Sequence, residues 1–330
     1  MNSKTPLTFW KFLRYGAESA AFFAFMAFFK VMGIDAASAV GGFIGRHLFY
    51  RLPVTNTARA NLRAAYPGMD GAEIEQTVRE MCDNLGRIVG EYPHLDKLTL
   101  GPGARIEADG LEIADRAMAS GKGVMFISGH FANWETMPIA AALHGYDSGL
   151  VYRPPNNPFV ARWIERQRAK LGPKELITKG VQGTRRIFTL LRRGKSILML
   201  VDQKTGEGVA APFFGRDAMT TPVPASFALK LGAILLPASA ERIGGAHFRA
   251  KIHQPIEFTP TGDYQRDVAG LTAKINEAIE AIVRARPSQW LWIHRRWPSP
   301  RDKIKKNNKR NSQALGGSGV GVEREGSSLT

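Results

Sequence analysis

The chain lacks several features that mark whole classes of protein. A single cysteine, Cys82, among 330 residues excludes an internal disulfide framework and a cysteine-based zinc site, and it is expected to be a buried, inert thiol. The glycine-rich phosphate loops of the Gly-x-x-x-x-Gly-Lys-Ser/Thr and Gly-x-Gly-x-x-Gly types are absent. So is Gly-x-Ser-x-Gly, the nucleophile turn of serine hydrolases. Nucleotide binding by those loops is therefore unsupported, and no serine nucleophile is evident.

Acidic residues are too few to balance the basic ones. The formal net charge of +16 favours a polyanionic partner: an anionic membrane surface, a phosphorylated substrate or nucleic acid. No aromatic-basic reading motif supports nucleic acid, so we expect none to bind. Residues 295–310 carry eight basic residues against one acidic residue, and the Gly/Ser-rich stretch after them predicts disorder. This tail either keeps the protein soluble or draws it to anionic lipid.

A long apolar run is missing as well. Eleven uncharged residues, 19–29, separate Glu18 from Lys30, whereas crossing a bilayer takes about 20. An outward-facing Glu18 and a snorkelling Lys30 can extend the segment to marginal length. We therefore predict a membrane anchor within residues 1–50, either spanning the bilayer or lying in its interface. The alternative is a buried helical hairpin.

The rest of the chain has the pattern of an α/β protein. Apolar spacing predicts helices over residues 55–92, with a break at Pro67-Gly68. From residue 105 onward short apolar strands alternate with helices, which predicts a mainly parallel central sheet flanked by helices behind the N-terminal apolar helix. The predicted strands are 124–128, 149–152, 176–178, 197–201, 234–238 and 248–253, and the predicted helices are 158–171, 184–193, 224–231 and 267–286. We assign residues 51–300 to one catalytic domain and residues 301–330 to the tail.

His130 is the main candidate for chemistry. It follows the apolar strand 124–128, and Glu135 comes five residues later. Chance alone would give roughly 0.6 such His–acid pairs in this composition, so the spacing by itself is weak evidence for a catalytic pair. The position of His130 after a buried strand strengthens the prediction, because open α/β sheets hold their active sites there. His130 could also be a satisfied core histidine or a metal ligand, although no His or Cys partner stands at ligand spacing.

The spacing also constrains the geometry of the pair. Residues five apart on one straight helix point about 140° away from each other, so His130 must lie on the loop and Glu135 on the turn that follows. Pro138 fits such a late helix start. Glu135 would then orient the imidazole as a general base. Ser128 and Cys82 are nucleophile candidates by type only, so we expect the substrate's own hydroxyl to act as the nucleophile.

The segment around His130 resembles a motif of a known protein family. Residues 128–135, Ser-Gly-His-Phe-Ala-Asn-Trp-Glu, are similar to the His-x4-Asp/Glu block of glycerolipid acyltransferases, and most of all to the bacterial lipid A biosynthesis acyltransferases that transfer lauroyl or myristoyl chains. The similarity extends over roughly residues 10–300. Its further blocks follow in order at 151–158, 200–203, 212–222, 235–237 and 289–297. Each block taken singly is weak evidence for the family, but the blocks in this order are specific for it jointly.

The resemblance implies an O-acyltransferase with a glycerolipid acyltransferase-like fold. It implies His130 and Glu135 as the catalytic pair, with Asn133, Arg153 and Asp202 as substrate-binding residues. The donor would be an acyl carrier protein thioester and the acceptor a hydroxyl of a Kdo-bearing, phosphorylated lipid A precursor, without cofactor or metal. The catalytic domain would face the cytoplasm at the inner membrane.

Alternatives remain open at the level of sequence. The acceptor could be another membrane lipid, such as a phosphatidylinositol mannoside or an ornithine-type lipid. The chain could instead be a non-catalytic membrane- or polyanion-binding protein in which His130 is structural. Arg153 could be a surface residue and Asp202 a loop or helix cap. The tryptophans at 290, 292 and 297 could be core residues or interfacial anchors.

Overall fold

The computed structural model describes residues 8–206 and 208–297, which form helices packed on a central sheet. The α-helices within these ranges are α1 (Phe9–Lys30), α2 (Ile34–His47), α3 (Thr55–Ala65), α4 (Gly71–Glu91), α5 (Leu111–Ala119), α6 (Thr136–Leu143), α7 (Pro158–Leu171), α8 (Val181–Arg192), α9 (Val223–Leu231) and α10 (Tyr264–Ala285). The strands are β1 (Ile106–Asp109), β2 (Val124–Ser128), β3 (Ser148–Tyr152), β4 (Glu175–Thr178), β5 (Ser196–Leu200), β6 (Val209–Phe213), β7 (Arg216–Thr220), β8 (Ile234–Gly244) and β9 (His247–Ile252).

Seven strands form the central sheet in the order β1-β9-β8-β2-β5-β3-β4. All neighbouring pairs are parallel except β8 and β9. β2 lies at the centre and pairs with β5 from Val124–Ser196 to Ser128–Leu200. This register brings the loops that leave β2 and β5 to the same edge of the sheet, where open α/β folds place their sites. The predicted fold class, a mainly parallel sheet flanked by helices, is confirmed.

Every predicted strand and helix is present, with ends shifted by a few residues apart from β8, which extends six residues past its predicted end. The helix break at Pro67-Gly68 is also confirmed. The sequence patterns missed β1, α5 and the separate β6–β7 hairpin, and of α6 they predicted only the start, near Glu135 and Pro138. Two of these results have a clear cause. β1 has only four residues and a mixed burial pattern, and α6 is apolar on nearly all sides, so neither shows a clear period.

The central strand separates two cores. All five residues of β2 are buried, and successive side chains point to opposite faces of the sheet. Met125 and Ile127 join the core under α4 and α10, whereas Val124 and Phe126 join the core under α5 and α6. The continuous apolar character of β2 follows from this burial on both faces.

α1 packs against α7 and leaves several apolar residues exposed. The Phe22 and Trp163 rings lie 5.3 Å apart, and Phe29 is fully buried. The exposed large apolar residues of α1 and its end are Phe9, Trp10, Phe12, Leu13, Phe23, Phe28 and Val31. Within residues 8–206 and 208–297, no helix is both long enough and apolar enough to cross a membrane. The spanning form of the predicted anchor is therefore not supported, and α1 is not a fully buried hairpin helix.

The backbones of α2 and α4 are in direct contact where the two helices cross, because glycines of the two helices face each other. A Cβ added to Gly86 would lie 2.0 Å from the carbonyl oxygen of Gly41 and 2.9 Å from the Cα of Gly45. A Cβ on Gly90 would lie 2.2 Å from the carbonyl oxygen of Ala37. Small residues four apart on both helices therefore set the separation of the two helix axes.

Gly86→Ala is expected to lower the free energy of unfolding by about 1–3 kcal/mol, because the new methyl group forces two packed backbones apart. Gly71→Ala is the matched control in the same helix, since nothing lies within 4 Å of its added Cβ. That change should be neutral or slightly stabilising. Urea denaturation of both variants gives the comparison, and equal stabilities would contradict this account of the crossing.

The segment after α10 returns to the core. Trp290 and Trp292 are fully buried and Trp297 is nearly so, which makes all three core residues rather than interfacial anchors. Arg296, counted in the basic cluster of the sequence, is also fully buried, and burial lowers its pKa to about 10. Its guanidinium donates to Thr220 Oγ1 at 2.8 Å. The predicted tail, residues 301–330, lies outside the described residues.

Candidate active site

His130 lies on the loop between β2 and α6, directly beside the loop that leaves β5. Its Nδ1 lies 2.9 Å from Asp202 Oδ1, and its backbone N–H donates to Asp202 Oδ2 at 2.7 Å. Both residues follow the carboxyl ends of adjacent parallel strands, so the register of β2 and β5 makes this contact. The carboxylate fixes the imidazole with the proton on Nδ1 and leaves Nε2 as the basic nitrogen.

Asp202 is a buried, firmly held carboxylate. Its side chain is fully buried, and Trp290 Nε1 donates to its Oδ2 at 2.8 Å. Burial alone would raise the pKa of Asp202, but the charge and hydrogen bonds of His130 outweigh it and hold that pKa well below its ordinary value. Asp202 therefore remains ionised and acts as the orienting group of His130. The sequence assigned it to substrate binding instead.

Glu135 stands at the start of α6, as predicted, but it does not contact His130. Its carboxylate accepts two hydrogen bonds from Arg168 of α7, at 2.5 and 3.0 Å, and a longer one of 3.4 Å from Tyr92. The predicted His130–Glu135 hydrogen bond is thus replaced by His130–Asp202. A role of Glu135 in catalysis by another contact stays a prediction.

Asn133 lies behind the site rather than in it. Its side chain is fully buried, and its Nδ2 donates to Glu91 Oε2 at 2.9 Å. Its Oδ1 accepts the backbone N–H of Glu135 at 3.2 Å. Asn133 therefore shapes the loop between β2 and α6, and the structure does not place it where the sequence predicted a substrate contact.

The loop that carries His130 is strained and anchored on both sides. Ala132 has a φ of 41°, which is rare for a residue with a Cβ. Its N–H donates to the carbonyl of Gln289 at 2.8 Å, and its carbonyl accepts from Asn84 at 3.2 Å. The N–H of Leu291 donates to the carbonyl of His130 at 3.2 Å. The C-terminal segment thus holds the loop in a conformation that local sequence would not favour.

A cavity of about 370 Å³ opens beside His130. Its polar mouth includes His130, Arg153, Lys179 and Gln203. Its buried lining combines the apolar side chains of Phe126, Met137, Leu150 and Leu198 with the polar Ser128. Arg153 is exposed at this rim, and its role in substrate binding stays a prediction. The Glu135–Arg168 ion pair forms part of the cavity wall.

Gln203 and His294 complete the surroundings of His130. Gln203 Nε2 lies 3.1 Å from Nε2 of His130 and 3.0 Å from Nε2 of His294. The two imidazole rings are 5.1 Å apart. The sequence pattern flagged neither residue as catalytic, because Gln203 has no titratable group and His294 lies 164 positions after His130. Only the proximity of the two loops in the fold reveals them.

His294 is expected to stay neutral down to acidic pH. Burial is the main cause and the nearby charge of His130 adds to it, so the pKa of His294 falls to about 4. In carbon-13 spectra of histidine-labelled protein, the His294 resonance is identified as the one that disappears in His294→Gln. The chemical shift of that resonance should not change between pH 8 and 5.5. A midpoint near 6.5 for that resonance would show instead that the ring is solvated.

The described residues contain no group of three or more His, Cys, Asp or Glu side chains able to hold a metal ion. What they contain is a base that a buried carboxylate fixes beside a partly apolar cavity. This arrangement can remove a proton from a substrate hydroxyl.

Comparison with known proteins agrees with this reading. Over 254 residues the chain is 28% identical to the lipid A biosynthesis palmitoleoyltransferase of Escherichia coli, covering 73% of this chain and 77% of the relative. It is 26% identical to the lipid A biosynthesis lauroyltransferase of the same organism, covering 72% and 76%. A phosphatidylinositol mannoside acyltransferase of Mycobacterium tuberculosis is 25% identical, covering 57% and 58%. The sequence model of the bacterial lipid A biosynthesis acyltransferases matches residues 8–299, and the chain belongs to this family of O-acyltransferases.

Proposed function

We propose that this protein transfers a fatty acyl chain from an acyl carrier protein thioester to a hydroxyl of a Kdo-bearing, phosphorylated lipid A precursor. The observation that carries the proposal is the His130–Asp202 pair beside a cavity whose lining is partly apolar. A transferase of this kind needs one basic group for the hydroxyl and one pocket for the chain. Both lie within one site here.

In the proposed reaction His130 Nε2 accepts the proton of the acceptor hydroxyl. The oxygen attacks the thioester carbonyl carbon, and the resulting tetrahedral intermediate expels the thiolate, which takes the proton from the imidazolium. Asp202 keeps the ring in the required tautomer and stabilises its positive charge during the step. No covalent acyl-enzyme is needed, because the acceptor itself is the nucleophile.

The two ends of the cavity suit the two parts of such substrates. The apolar side chains of the lining can bury part of an acyl chain, each buried methylene contributing about 0.8 kcal/mol. Arg153 and Lys179 at the mouth bring positive charge near the reacting groups. Phosphates of the acceptor or of the donor's prosthetic group would be attracted there. The overall basic charge favours both anionic partners.

Association with the inner membrane, at its cytoplasmic face, belongs to the same proposal. α1 exposes an apolar surface, Phe9, Trp10, Phe12 and Leu13, beside the basic residues Lys11 and Arg14. Aromatic rings next to cations are suited to the depth of lipid headgroups. Such a helix would lie in the interface and bring the cavity to lipid substrates.

The test is a reconstituted assay with purified full-length protein, lauroyl or palmitoleoyl acyl carrier protein, and two acceptors. One acceptor is a Kdo-bearing tetra-acylated lipid A precursor, and the other is a phosphatidylinositol mannoside. Mass spectrometry should show the first acceptor heavier by one acyl chain. Acylation of the second acceptor alone would favour the mannoside acyltransferase function, which the mycobacterial relative makes the second candidate. Acylation of neither would contradict the proposal.

Membrane binding has its own prediction. A variant with Phe9, Trp10 and Leu13 changed to Ser should sediment with anionic vesicles at low salt but leave them at high salt. Without these apolar side chains, only electrostatic attraction to the anionic lipid remains, and salt screens that attraction over a distance of about 10 Å at 0.1 M. The wild-type protein should stay bound in both conditions. Ile243→Ser, at an exposed apolar residue of β8, is the control and should behave like the wild type. Complete release of the wild type by salt would exclude an apolar anchor in α1.

A further inference from the structure

The side-chain amide of Gln203 stands between two imidazoles. Its nitrogen is 3.1 Å from Nε2 of His130 and 3.0 Å from Nε2 of His294. An amide nitrogen carries two hydrogens, so it can donate to both rings at once. Asn61 Nδ2 donates to the backbone carbonyl of His294 at 2.6 Å, which fixes the main chain that carries the second imidazole.

The hydrogen-bond partners fix which way the amide faces. Because His130 Nδ1 donates to Asp202, Nε2 of the neutral ring carries a lone pair. His294 is neutral as well, mainly because burial lowers its pKa to about 4, and Nε2 can then accept with the proton on Nδ1. An amide oxygen in this position would face two lone pairs. The nitrogen therefore faces the rings, and one N–H points at the atom that acts as the base.

Binding of the acceptor changes one of these two bonds. The substrate hydroxyl must donate to His130 Nε2, so it replaces Gln203 there. His294 retains the other amide hydrogen, which keeps Gln203 beside the reacting atoms with one donor free. Gln203 Nε2 lies 3.1 Å from the base, so a carbonyl oxygen next to a hydroxyl bound at that base comes within reach of this donor, as an oxyanion donor requires.

We propose that Gln203 is a catalytic residue that donates a hydrogen bond to the oxyanion of the tetrahedral intermediate, and that His294 is the residue that positions it. The inference rests on the proposed acyl transfer. The hydroxyl proton passes to His130 Nε2, the new C–O bond forms, and the carbonyl electron pair moves to the oxygen that Gln203 contacts. Collapse restores the carbonyl, breaks the C–S bond and returns the proton to the thiolate, so an ester and a thiol leave.

The experiment compares two substitutions of similar size at one position. Gln203→Met keeps the volume and removes the donor, and kcat for lauroyl transfer should fall about 10²–10³-fold with KM changed only severalfold. Gln203→Glu keeps the shape but puts a carboxylate where the oxyanion forms, so it should be slower still. A purely structural role predicts the opposite order, since Glu resembles Gln more closely than Met does.

His294→Phe tests the positioning role. It should lower kcat less than Gln203→Met does, and the double variant should be no slower than Gln203→Met alone, because the two residues act as one unit. Gln265→Met, at an exposed residue of α10, is the matched control and should retain full activity. Thermal unfolding must give similar midpoints for all variants.

Hydrolysis of the lauroyl thioester without acceptor separates this inference from the proposed function. If the wild type hydrolyses the thioester but does not acylate the Kdo-bearing lipid, the proposed acceptor is wrong. The rates of Gln203→Met and Gln203→Glu are then compared for thioester hydrolysis instead of acyl transfer. Gln203→Met with wild-type kcat, or Gln203→Glu faster than Gln203→Met, overturns the catalytic role of Gln203. A wild type without either activity overturns both proposals.

Discussion

Asp202→Asn should reduce kcat for acyl transfer by about 10³–10⁴-fold while leaving the fold intact. An asparagine amide would donate to His130 Nδ1 and so move the ring proton to Nε2, which removes the lone pair that accepts the hydroxyl proton. His130→Ala should lose about 10²–10⁴-fold from the missing base. Steady-state kinetics with the acyl carrier protein thioester measures both, and circular dichroism checks that the variants fold.

Glu135→Gln is the decisive comparison for this prediction. Glu135 contacts Arg168 and Tyr92 rather than His130, and Gln can keep part of those hydrogen bonds. Its effect on kcat should therefore be much smaller than that of Asp202→Asn. The reverse order, with Glu135→Gln inactive and Asp202→Asn near wild type, would restore Glu135 as the group that orients the imidazole in the working enzyme.

Arg242→Met should lower the free energy of unfolding by about 3–5 kcal/mol, because it leaves the carboxylate of Glu91 buried without a counter-charge. Glu91 is fully buried and pairs with Arg242, whose Nε also donates to Asn84 Oδ1 at 2.9 Å. Urea denaturation followed by tryptophan fluorescence measures the loss. The double variant Glu91→Gln, Arg242→Met should recover part of it, since the uncompensated charge is then gone.

Arg249→Met is the matched control on the neighbouring strand. Arg249 is partly exposed and pairs at 3.4–3.7 Å with Asp109 and Glu107, and such surface pairs contribute about 0–1 kcal/mol. Equal losses of unfolding free energy for Arg242→Met and Arg249→Met would show that the buried ion pair contributes no more to stability than a surface pair. A loss of activity in Arg242→Met is also expected, because Glu91 accepts from Asn133 in the loop that carries His130.

Much of this architecture could be predicted from local sequence patterns. The apolar run 124–128 specified a central strand, because a strand buried on both faces has no polar alternation. The strand–helix alternation specified a parallel sheet and placed His130 at its carboxyl edge. Pro67-Gly68 specified a helix break, since neither residue supports a continuous helix. Where the apolar residues show no clear period, such patterns failed: β1 was missed, and only the start of α6 was predicted.

The identity of the carboxylate on His130 could not be predicted in this way. The sequence offered Glu135, five residues away, whereas the structure uses Asp202, which is 72 residues away. The loop after β2 turns through a left-handed Ala132, and Arg168 from α7 takes the Glu135 carboxylate. Long-range contacts of this kind depend on helix packing, which local spacing does not encode.

The remaining partners of His130 show the same division. A chain pattern identifies a histidine at a strand end because burial and turn chemistry are local properties. It cannot show that Asp202, Gln203 and His294 surround that histidine, because their approach depends on the register of β2 with β5 and on the return of the C-terminal segment. Local sequence therefore determined the strand and the base, and tertiary packing determined the group that orients the base and the amide that faces it.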